Sequence, residues 1–276
     1  MRAIGAVCGG APCTEVSALE YEEIYSLPEL YEIAFSYRDV AKECDFLAEV
    51  FCRANGRAPV SVLELACGPA EHARELARRG LGVTALDLSP EMVDYAAGKL
   101  GESGAVVVAD MADFTIEHPV DLAFTMLDSL PYLTTNEQLL SHFRCVSQAL
   151  SPGGVYVVEL RHPSDALPNG DHTTEDDWVE ERDGLSVRMQ WGLEVEYDPI
   201  AQTEHLLSRV TVSSEKGQQV IDSWGTQRPL LPQELLLFVT SAGGWRFLGW
   251  WGEFDLDRQL GGSPEDWRMI VALQRE

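Results

Sequence analysis

Residues 62–71 of this 276-residue chain read VLELACGPAE, and the architecture can be worked out from them. A short apolar strand ends near Glu64, a turn of small residues follows at Gly68, and a helix begins at Glu71. Such a turn points backbone N–H groups, and the positive end of the helix dipole, at whatever lies above the strand. In open α/β sheets a nucleotide binds at this place. The stretch therefore predicts a strand–turn–helix unit that cradles a ligand.

Short apolar strands and amphipathic helices alternate on both sides of this stretch. The predicted strands are Ser61–Ala66, Leu81–Leu86, Ala105–Ala109, Val120–Met126 and Val155–Leu160, with two more at Trp245–Phe254 and Arg268–Gln274. The accompanying helices begin at Glu71, Ser89-Pro90, Asn136 and Leu231. This alternation is typical of a parallel sheet with helices on both faces. We therefore expect an α/β protein with a doubly wound, mostly parallel seven-stranded sheet.

Two segments depart from the alternation of strands and helices. Ahead of the core, a helical period broken at Leu27-Pro28 predicts an N-terminal helical lid. After strand five, alternating apolar side chains predict an antiparallel β insertion with turns at Asp183-Gly184, Asp198-Pro199 and Lys216-Gly217. The predicted divisions are a flexible tail (1–20), the lid (21–60), the cofactor-binding α/β core (61–162), the insertion (163–230), and the final helix and strands of the core (231–276).

Acidic residues close the second and third strands as well as the first. Asp87 follows Gly68 by nineteen residues, a spacing that lets a carboxylate accept hydrogen bonds from both hydroxyls of a ribose. Asp110 closes the next strand, where an adenine amino group would lie. A dinucleotide site needs the pattern G-x-G-x-x-G, whereas Gly68 stands alone with Pro69 behind it. The carboxylate of Glu64 suits an ammonium group, which favours S-adenosylmethionine and leaves an NAD-dependent enzyme as the weaker alternative.

Together these features resemble the class I, Rossmann-like S-adenosylmethionine-dependent methyltransferases of the small-molecule type. Residues 64–70 are similar to their motif I, Asp87 to the acid of motif II, and residues 121–154, which end in Ser-Pro-Gly-Gly, to motifs IV and V. The resemblance implies S-adenosyl-L-methionine as cofactor and S-adenosyl-L-homocysteine as product. The cofactor-binding residues that it implies are Tyr31, Glu64, Ala66, Gly68, Asp87, Leu88, Asp110, Met111 and Leu127.

The resemblance extends to segments outside the core. Tyr31, Phe35 and Tyr37 are similar to aromatic residues that close over the methionine end of the cofactor, and some members form a homodimer through a β insertion. Pro69 and Ala70 depart from the family, which has Ser or Thr and then glycine, and the methyl group of Ala70 is expected to crowd the cofactor slightly. No Asn/Asp-Pro-Pro-Tyr run follows the fourth strand, which argues against a DNA amino-methyltransferase.

The charge of the chain excludes some classes of partner. Its 20 Lys and Arg residues against 45 Asp and Glu residues give a formal net charge of −25. Such a chain repels phosphate backbones and anionic membranes, so neither nucleic acid nor membrane is expected as a partner. No apolar run approaches the roughly 20 residues that span a bilayer. Six scattered cysteines without a C-x-x-C pair predict no metal site and a reducing, cytoplasmic location.

The implied reaction is a direct displacement that moves a methyl group to an N or O atom of a small-molecule acceptor. It requires alignment of the reactants and exclusion of water, and a general base only when the acceptor arrives protonated. His162, Asp128 and Tyr132 are the candidate catalytic residues, because they follow strands four and five. The alternative is a non-catalytic S-adenosylmethionine-binding protein that acts as a partner or sensor. No motif identifies the acceptor.

Overall fold

The computed structural model describes residues 24–165, 176–261 and 266–276, so the predicted tail at 1–20 lies outside the described residues. A seven-stranded sheet lies at its centre. The strands are β1 (Ser61–Leu65), β2 (Gly82–Asp87), β3 (Ala105–Val108), β4 (Val120–Thr125), β5 (Leu150–Arg161), β10 (Trp245–Trp251) and β11 (Arg268–Arg275). They lie side by side in the order β10-β11-β5-β4-β1-β2-β3.

The first five strands run parallel, and β11 pairs antiparallel with both β5 and β10. The carboxyl ends of β1 to β4 therefore meet at one edge of the sheet, where ligands of α/β proteins bind. Most strand ends lie within a few residues of the predicted ones. The exception is β5, which begins at Leu150 and takes in the Ser-Pro-Gly-Gly run. Within that run Gly153 has a φ of 78°, a left-handed conformation that glycine adopts without steric cost.

Helices cover both faces of the sheet. They are α1 (Pro28–Ala34), α2 (Val40–Asn55), α3 (Glu71–Arg78), α4 (Pro90–Leu100), α5 (Asn136–Ala149) and α6 (Pro232–Ala242). Apolar side chains of α2, α3 and α4 form one cluster with the sheet, and those of α5 and α6 form another with its opposite face. The predicted doubly wound α/β architecture is thus confirmed. No helix in the described part of the chain is long and apolar enough to cross a membrane.

A second, antiparallel sheet follows β5, as predicted for the insertion. Its strands are β6 (Asp176–Arg182), β7 (Leu185–Asp198), β8 (Thr203–Ser214) and β9 (Gly217–Gln227). They pair in sequence order, and the three predicted turns fall between them. The alternation of apolar and polar residues therefore identified this sheet and its connections correctly.

The helical segment ahead of the core breaks at a different place from the predicted one. Pro28 is the first residue of α1 and does not separate two helices, because a proline fits the first helical position well. The break between α1 and α2 lies at residues 35–39. The side chain of Asp39 then caps α2 by accepting a hydrogen bond from the backbone N–H of Lys42 at 3.0 Å. This break places residues 35–38 beside the carboxyl edge of the sheet.

Helix α1 packs on the inserted sheet. Ile33 and Ala34 share an apolar cluster with Val187 and Met189 of β7. The indole N–H of Trp178 in β6 donates a hydrogen bond to the carbonyl oxygen of Ala34 at 2.6 Å. The N-terminal segment is therefore held in place by the insertion as well as by the core.

A buried histidine joins α2, α3 and β1. Nε2 of His72 lies 2.6 Å from a carboxylate oxygen of Glu43, and its Nδ1 lies 3.4 Å from one of Glu64. Burial lowers the pKa of His72, but hydrogen bonds and charges of the two glutamates outweigh burial and raise the pKa from 6.5 to about 9. His72 is therefore a cation that lies between two buried carboxylates.

We expect His72→Gln to lower the melting temperature substantially, because removing one partner of a buried ion pair costs about 3–5 kcal/mol. The stabilisation that His72 provides is fully present below its unfolded pKa of 6.5 and is lost as the pH rises through about 9. Thermal unfolding followed from about pH 6 to about pH 10 should show this loss in the wild type and not in the variant. His118→Gln, at a side chain that is 86% exposed, is the control. A variant that unfolds like the wild type at every pH would contradict the ion-pair assignment.

Candidate active site

A cavity of about 1250 Å³ opens at the carboxyl edge of the sheet. Its walls come from the strand ends, the segment around α1 and the inserted sheet. Cavities that hold one small molecule usually measure about 300–1,000 Å³. The space therefore has room for a nucleoside-sized ligand and a second molecule beside it.

Asp87, at the end of β2, connects the turn after β1 to the start of α4. One of its carboxylate oxygens accepts a hydrogen bond from the backbone N–H of Gly68 at 2.7 Å, and the other accepts from that of Ser89 at 2.9 Å. Burial raises the pKa of Asp87, and these backbone hydrogen bonds oppose the rise. The carboxylate lines the cavity, and each oxygen retains a lone pair for a further donor. This position suits the predicted role as the ribose-binding acid.

The turn after β1 has a strained backbone. Ala66, Gly68 and Ala70 have φ angles of 51°, 51° and 59°. Left-handed backbone at residues other than glycine costs about 1–3 kcal/mol and clusters at ligand sites. Ala70 is fully buried in an apolar cluster and does not line the cavity, which corrects the expectation that its methyl group crowds the cofactor. The neighbouring Cys67 is buried too, and burial raises the pKa of its thiol well above the ordinary value.

Leu88, Asp110 and Met111, which are predicted to hold the adenine end, also line the cavity. The carboxylate of Asp110 accepts a hydrogen bond from the backbone N–H of Ala112 at 2.7 Å, which fixes its orientation. Leu88 is 65% exposed, so it presents a large apolar surface to the cavity. A carboxylate beside an apolar surface suits a flat ring that carries an amino group.

Aromatic residues of the N-terminal segment cover the turn after β1. The ring of Tyr31 approaches Gly68 so closely that a Cβ atom there would lie 3.7 Å from it. Tyr31 also packs against Phe35 and Tyr25, with ring centroids 4.5 Å and 5.7 Å away. Burial raises the pKa of the Tyr31 hydroxyl, which keeps it neutral. Tyr31 lines the cavity as predicted, and so does Tyr25, which the sequence did not single out.

Glu64, predicted as a direct cofactor ligand, is not among the residues that line the cavity. It is only 3% exposed, and its carboxylate accepts a hydrogen bond from the backbone N–H of Ala73 at 2.8 Å. The N–H groups in the first turn of a helix have no partner within the helix and attract a carboxylate. In this structure Glu64 therefore anchors the start of α3.

His162, predicted as the general base, is not among the lining residues either. Its Nδ1 lies 2.6 Å from the hydroxyl oxygen of Ser164 and 3.2 Å from the backbone nitrogen of the same residue. The ring thus turns back onto its own loop and is only 8% exposed. The other two catalytic candidates, Asp128 and Tyr132, do line the cavity.

The turn after β4 is strained as well, with φ angles of 54° at Leu127 and 52° at Asp128. The backbone N–H of Leu127 donates to a carboxylate oxygen of Glu159 at 3.0 Å. The carboxylate of Asp128 accepts from the backbone N–H and from Nε of Arg161, at 3.1 Å and 2.8 Å. Burial raises the pKa of Asp128, and the charge of Arg161 opposes the rise. Two charged residues of β5 thus hold this turn at the cavity.

Arg38 and Arg268, at which no sequence motif points, meet at Glu159. Nη2 of Arg38 lies 2.7 Å from Glu159 and 2.7 Å from Glu43, while Nη1 of Arg268 lies 2.8 Å from the other oxygen of Glu159. The side chains of Arg38, Glu159 and Arg268 are 3%, 5% and 7% exposed. No local pattern reveals this cluster, because Arg38 and Glu159 are 121 positions apart in the sequence.

Tyr132 takes part in a polar network that joins the N-terminal segment to the insertion. Its hydroxyl lies 2.6 Å from that of Tyr25, and Gln227 hydrogen-bonds to Tyr132 as well. Arg161 in turn donates to Gln227 and, at 2.9 Å, to Glu204. Among the described residues, no group of three or more His, Cys, Asp or Glu side chains could hold a metal ion. The site is therefore built from hydrogen bonds, ion pairs and aromatic surface.

We expect Asp87→Ala to weaken S-adenosylmethionine binding by roughly 100-fold, since hydrogen bonds to a charged group contribute about 1.5–3 kcal/mol each. Isothermal titration calorimetry would measure the affinity, and circular dichroism would establish that the variant is folded. Asp94→Ala, at an exposed position of α4, is the matched control. An unchanged affinity in the Asp87 variant would refute the ribose assignment.

The comparisons with known proteins agree with this geometry. Residues 62–154 match the family model described as a methyltransferase domain. A dTDP-3-amino-3,4,6-trideoxy-alpha-D-glucopyranose N,N-dimethyltransferase from Streptomyces venezuelae is 29% identical over 133 residues, which are 48% of this chain and 55% of that protein. The chain spans about half or less of the length of the first curated relatives that it matches, from 39% to 55%.

Solved structures match nearly the whole chain. An S-adenosylmethionine-dependent methyltransferase from Clostridium acetobutylicum superposes with a TM-score of 0.72 at 19% identity, covering 90% of this chain and 96% of that one. An amino pentose methyltransferase from Micromonospora echinaspora, CalS10, gives a TM-score of 0.70 at 18% identity, covering 90% and 97%. Residues 62–154 therefore resemble a methyltransferase domain, and the described chain shares its fold with solved S-adenosylmethionine-dependent methyltransferases.

Proposed function

We propose that this protein transfers the methyl group of S-adenosyl-L-methionine to an N or O atom of a small molecule and releases S-adenosyl-L-homocysteine. The observation that carries the proposal is a single cavity that contains both Asp87 and, beyond the predicted cofactor residues, the side chains Asp128 and Tyr132. The curated relatives named as N,N-dimethyltransferases of amino sugars support a small acceptor and favour nitrogen.

The residues at the strand ends fit the proposed cofactor. Asp87 would hold the ribose, while Leu88, Asp110 and Met111 would surround the base. The buried carboxylate of Asp87 still opens onto the cavity, and the Gly68 turn beneath Tyr31 has no side chain that would fill the space. Ala66, Gly68 and Leu127 would line the amino acid end, under Tyr31. When bound, S-adenosylmethionine supplies a methyl group on a cationic sulfur.

The chain's own residues would align the acceptor and keep water out. Tyr25, Tyr31 and Tyr132 shield the cavity on the side of the N-terminal segment. For an acceptor that arrives protonated, Asp128 would take the proton, because Arg161 holds it as a carboxylate at the strained turn. Tyr132, neutral because burial raises its pKa, would contribute a hydrogen bond. His162 has no part in this proposal.

The proposal also assigns roles to the N-terminal segment and the insertion, and it includes the location of the protein and the kind of substrate. We propose that residues 21–60 cover the cofactor and that residues 163–230 contact the acceptor and form a homodimer interface. A cytoplasmic location agrees with the scattered cysteines, of which Cys44 and Cys67 are buried as free thiols. The strong negative charge argues against nucleic acid as a substrate.

Measuring the turnover of S-adenosylmethionine distinguishes the proposed methyltransferase from a non-catalytic protein that only binds S-adenosylmethionine. We expect the protein to convert S-adenosylmethionine to S-adenosylhomocysteine only in the presence of a suitable acceptor, and mass spectrometry of a panel of amines and alcohols would detect the methylated product. Binding of S-adenosylmethionine without turnover across the whole panel would favour a partner or sensor. Absence of binding would overturn both readings.

We expect Asp128→Asn to lower kcat by roughly 100-fold or more, the usual loss when a general base is removed, with little change in the affinity for S-adenosylmethionine. Because the carboxylate form is the active one, wild-type kcat/KM should fall as the pH drops through the pKa of Asp128, which burial raises above 3.8. Steady-state kinetics against pH would measure both effects. The control is Asp94→Asn, which removes the same unit of charge at an exposed position of α4. Full activity in the Asp128 variant would remove Asp128 from the mechanism.

A further inference from the structure

The part of the cavity that faces the insertion has a distinct lining. Trp178, Trp191 and Trp224 lie along it, together with His205. The rings of His205 and Trp224 are stacked, with centroids 4.9 Å apart and an interplanar angle of 17°. These side chains belong to the inserted sheet and none of them is a predicted cofactor residue, so this part of the cavity is available to the acceptor.

Carboxylates outnumber cations around the cavity. The described lining residues include eight carboxylates and three guanidinium groups, a balance of −5, and no lysine. The acidic residues are Asp87, Asp110, Asp128, Glu159, Asp165, Asp176, Asp177 and Glu180; the basic ones are Arg38, Arg161 and Arg268. A cavity lined by one sign of charge attracts ligands of the opposite sign and repels those of its own.

Two of the three guanidinium groups are neutralised by the buried cluster at Glu159. Arg38 contacts Glu43 and Glu159, both at 2.7 Å, through a side chain that is only 3% exposed. Arg268 contacts Glu159 at 2.8 Å. Neither arginine presents an unpaired positive charge to a ligand.

Carboxylates of the protein also offset the charge of the third guanidinium group, that of Arg161. Nε of Arg161 contacts Asp128 at 2.8 Å and Nη1 contacts Glu204 at 2.9 Å, while Nη2 donates to Gln227. All three nitrogen atoms therefore have acceptors in the protein. The two carboxylates offset the positive charge that Arg161 would otherwise offer to a phosphate group.

The excess negative charge lies on the side of the tryptophan residues. Asp165 and Asp176 both line the cavity, and no Lys or Arg side chain in the described ranges forms an ion pair with either of them. Burial and the nearby charge of Asp165 raise the pKa of Asp176, as expected for neighbouring carboxylates. Trp178 follows two residues after Asp176 on the same strand, so it offers an aromatic surface beside them.

Building on the proposed function, we infer that the acceptor is an amine that enters as a cation and carries no phosphate. Carboxylates and the faces of tryptophan rings both attract an ammonium group. A diphosphate would place like charges together, which disfavours its binding. In this respect the acceptor differs from the dTDP-linked amino sugar named for the Streptomyces venezuelae relative.

A matched pair of probes tests the inference. One amino sugar is prepared as its methyl glycoside and as its dTDP ester, and calorimetry measures the binding of each to the protein saturated with S-adenosylhomocysteine. The methyl glycoside should bind at least about ten-fold more tightly, and added salt should weaken its binding. Binding of the ester that equals or exceeds that of the glycoside, or no binding by either, would overturn the inference.

Two charge variants test whether the preference for the methyl glycoside arises from the carboxylate of Asp176 or from the net charge of the chain. Asp176→Asn should weaken binding of the methyl glycoside several-fold and reduce its salt dependence, while the affinity for S-adenosylhomocysteine is unchanged. Asp94→Asn removes the same unit of charge from the exposed face of α4 and should change neither. Equal effects of the two variants would attribute the preference to the net charge of the chain and overturn the inference.

The two proposals fail in different ways. If the wild-type protein does not bind S-adenosylmethionine, the proposed function is wrong, and the inference about the acceptor falls with it. If the protein binds S-adenosylmethionine and methylates the dTDP ester in preference to the glycoside, the proposed function stands and only the inference is wrong.

Discussion

The carboxylate of Glu159 holds together the parts of the molecule that form the cavity. It is only 4% exposed in β5, where an unpaired negative charge would be very costly. It is therefore met by Arg38 and Arg268 and by the backbone N–H of Leu127. Arg38 brings the chain between α1 and α2 over the edge of the sheet, and the contact with Leu127 holds the strained turn after β4. The N-terminal segment, the core and the candidate catalytic turn thus share one point of attachment.

Local sequence patterns predicted the strand ends, the turns and the inserted sheet, because residues close together in the sequence determine these features. Gly68 and Asp87 could be placed because a strand–turn–helix unit fixes where each strand ends, and the carboxyl ends of parallel strands meet at one edge. The inserted sheet could be predicted from its alternation and turns for the same reason. In each case the conformation of the turn or strand depends on interactions between residues within about twenty positions of each other. The spacing of these residues in the sequence is therefore enough to predict it.

The directions in which side chains point, and the contacts between residues far apart in the sequence, could not be predicted from local patterns. Glu64 sits near a strand end like Asp87, but its side chain faces the first turn of α3, and spacing does not distinguish the two directions. His162 follows β5 at a suitable position, yet its ring bonds to Ser164 two residues away. Arg38 reaches Glu159 across 121 positions, and the packing of α1 on β7 joins segments more than 150 residues apart. Such contacts depend on the assembled fold.

The strained turn after β1 contains the thiol of Cys67, and burial of this thiol determines its reactivity. Only the thiolate form of a cysteine reacts readily with alkylating agents or oxidants. Burial keeps the sulfur of Cys67 protonated, since it raises the pKa of the thiol well above the ordinary value. This cysteine, in the turn after β1, is therefore unreactive towards such reagents while the protein is folded. Maleimides and peroxide should spare this loop, and labelling of Cys67 would report unfolding.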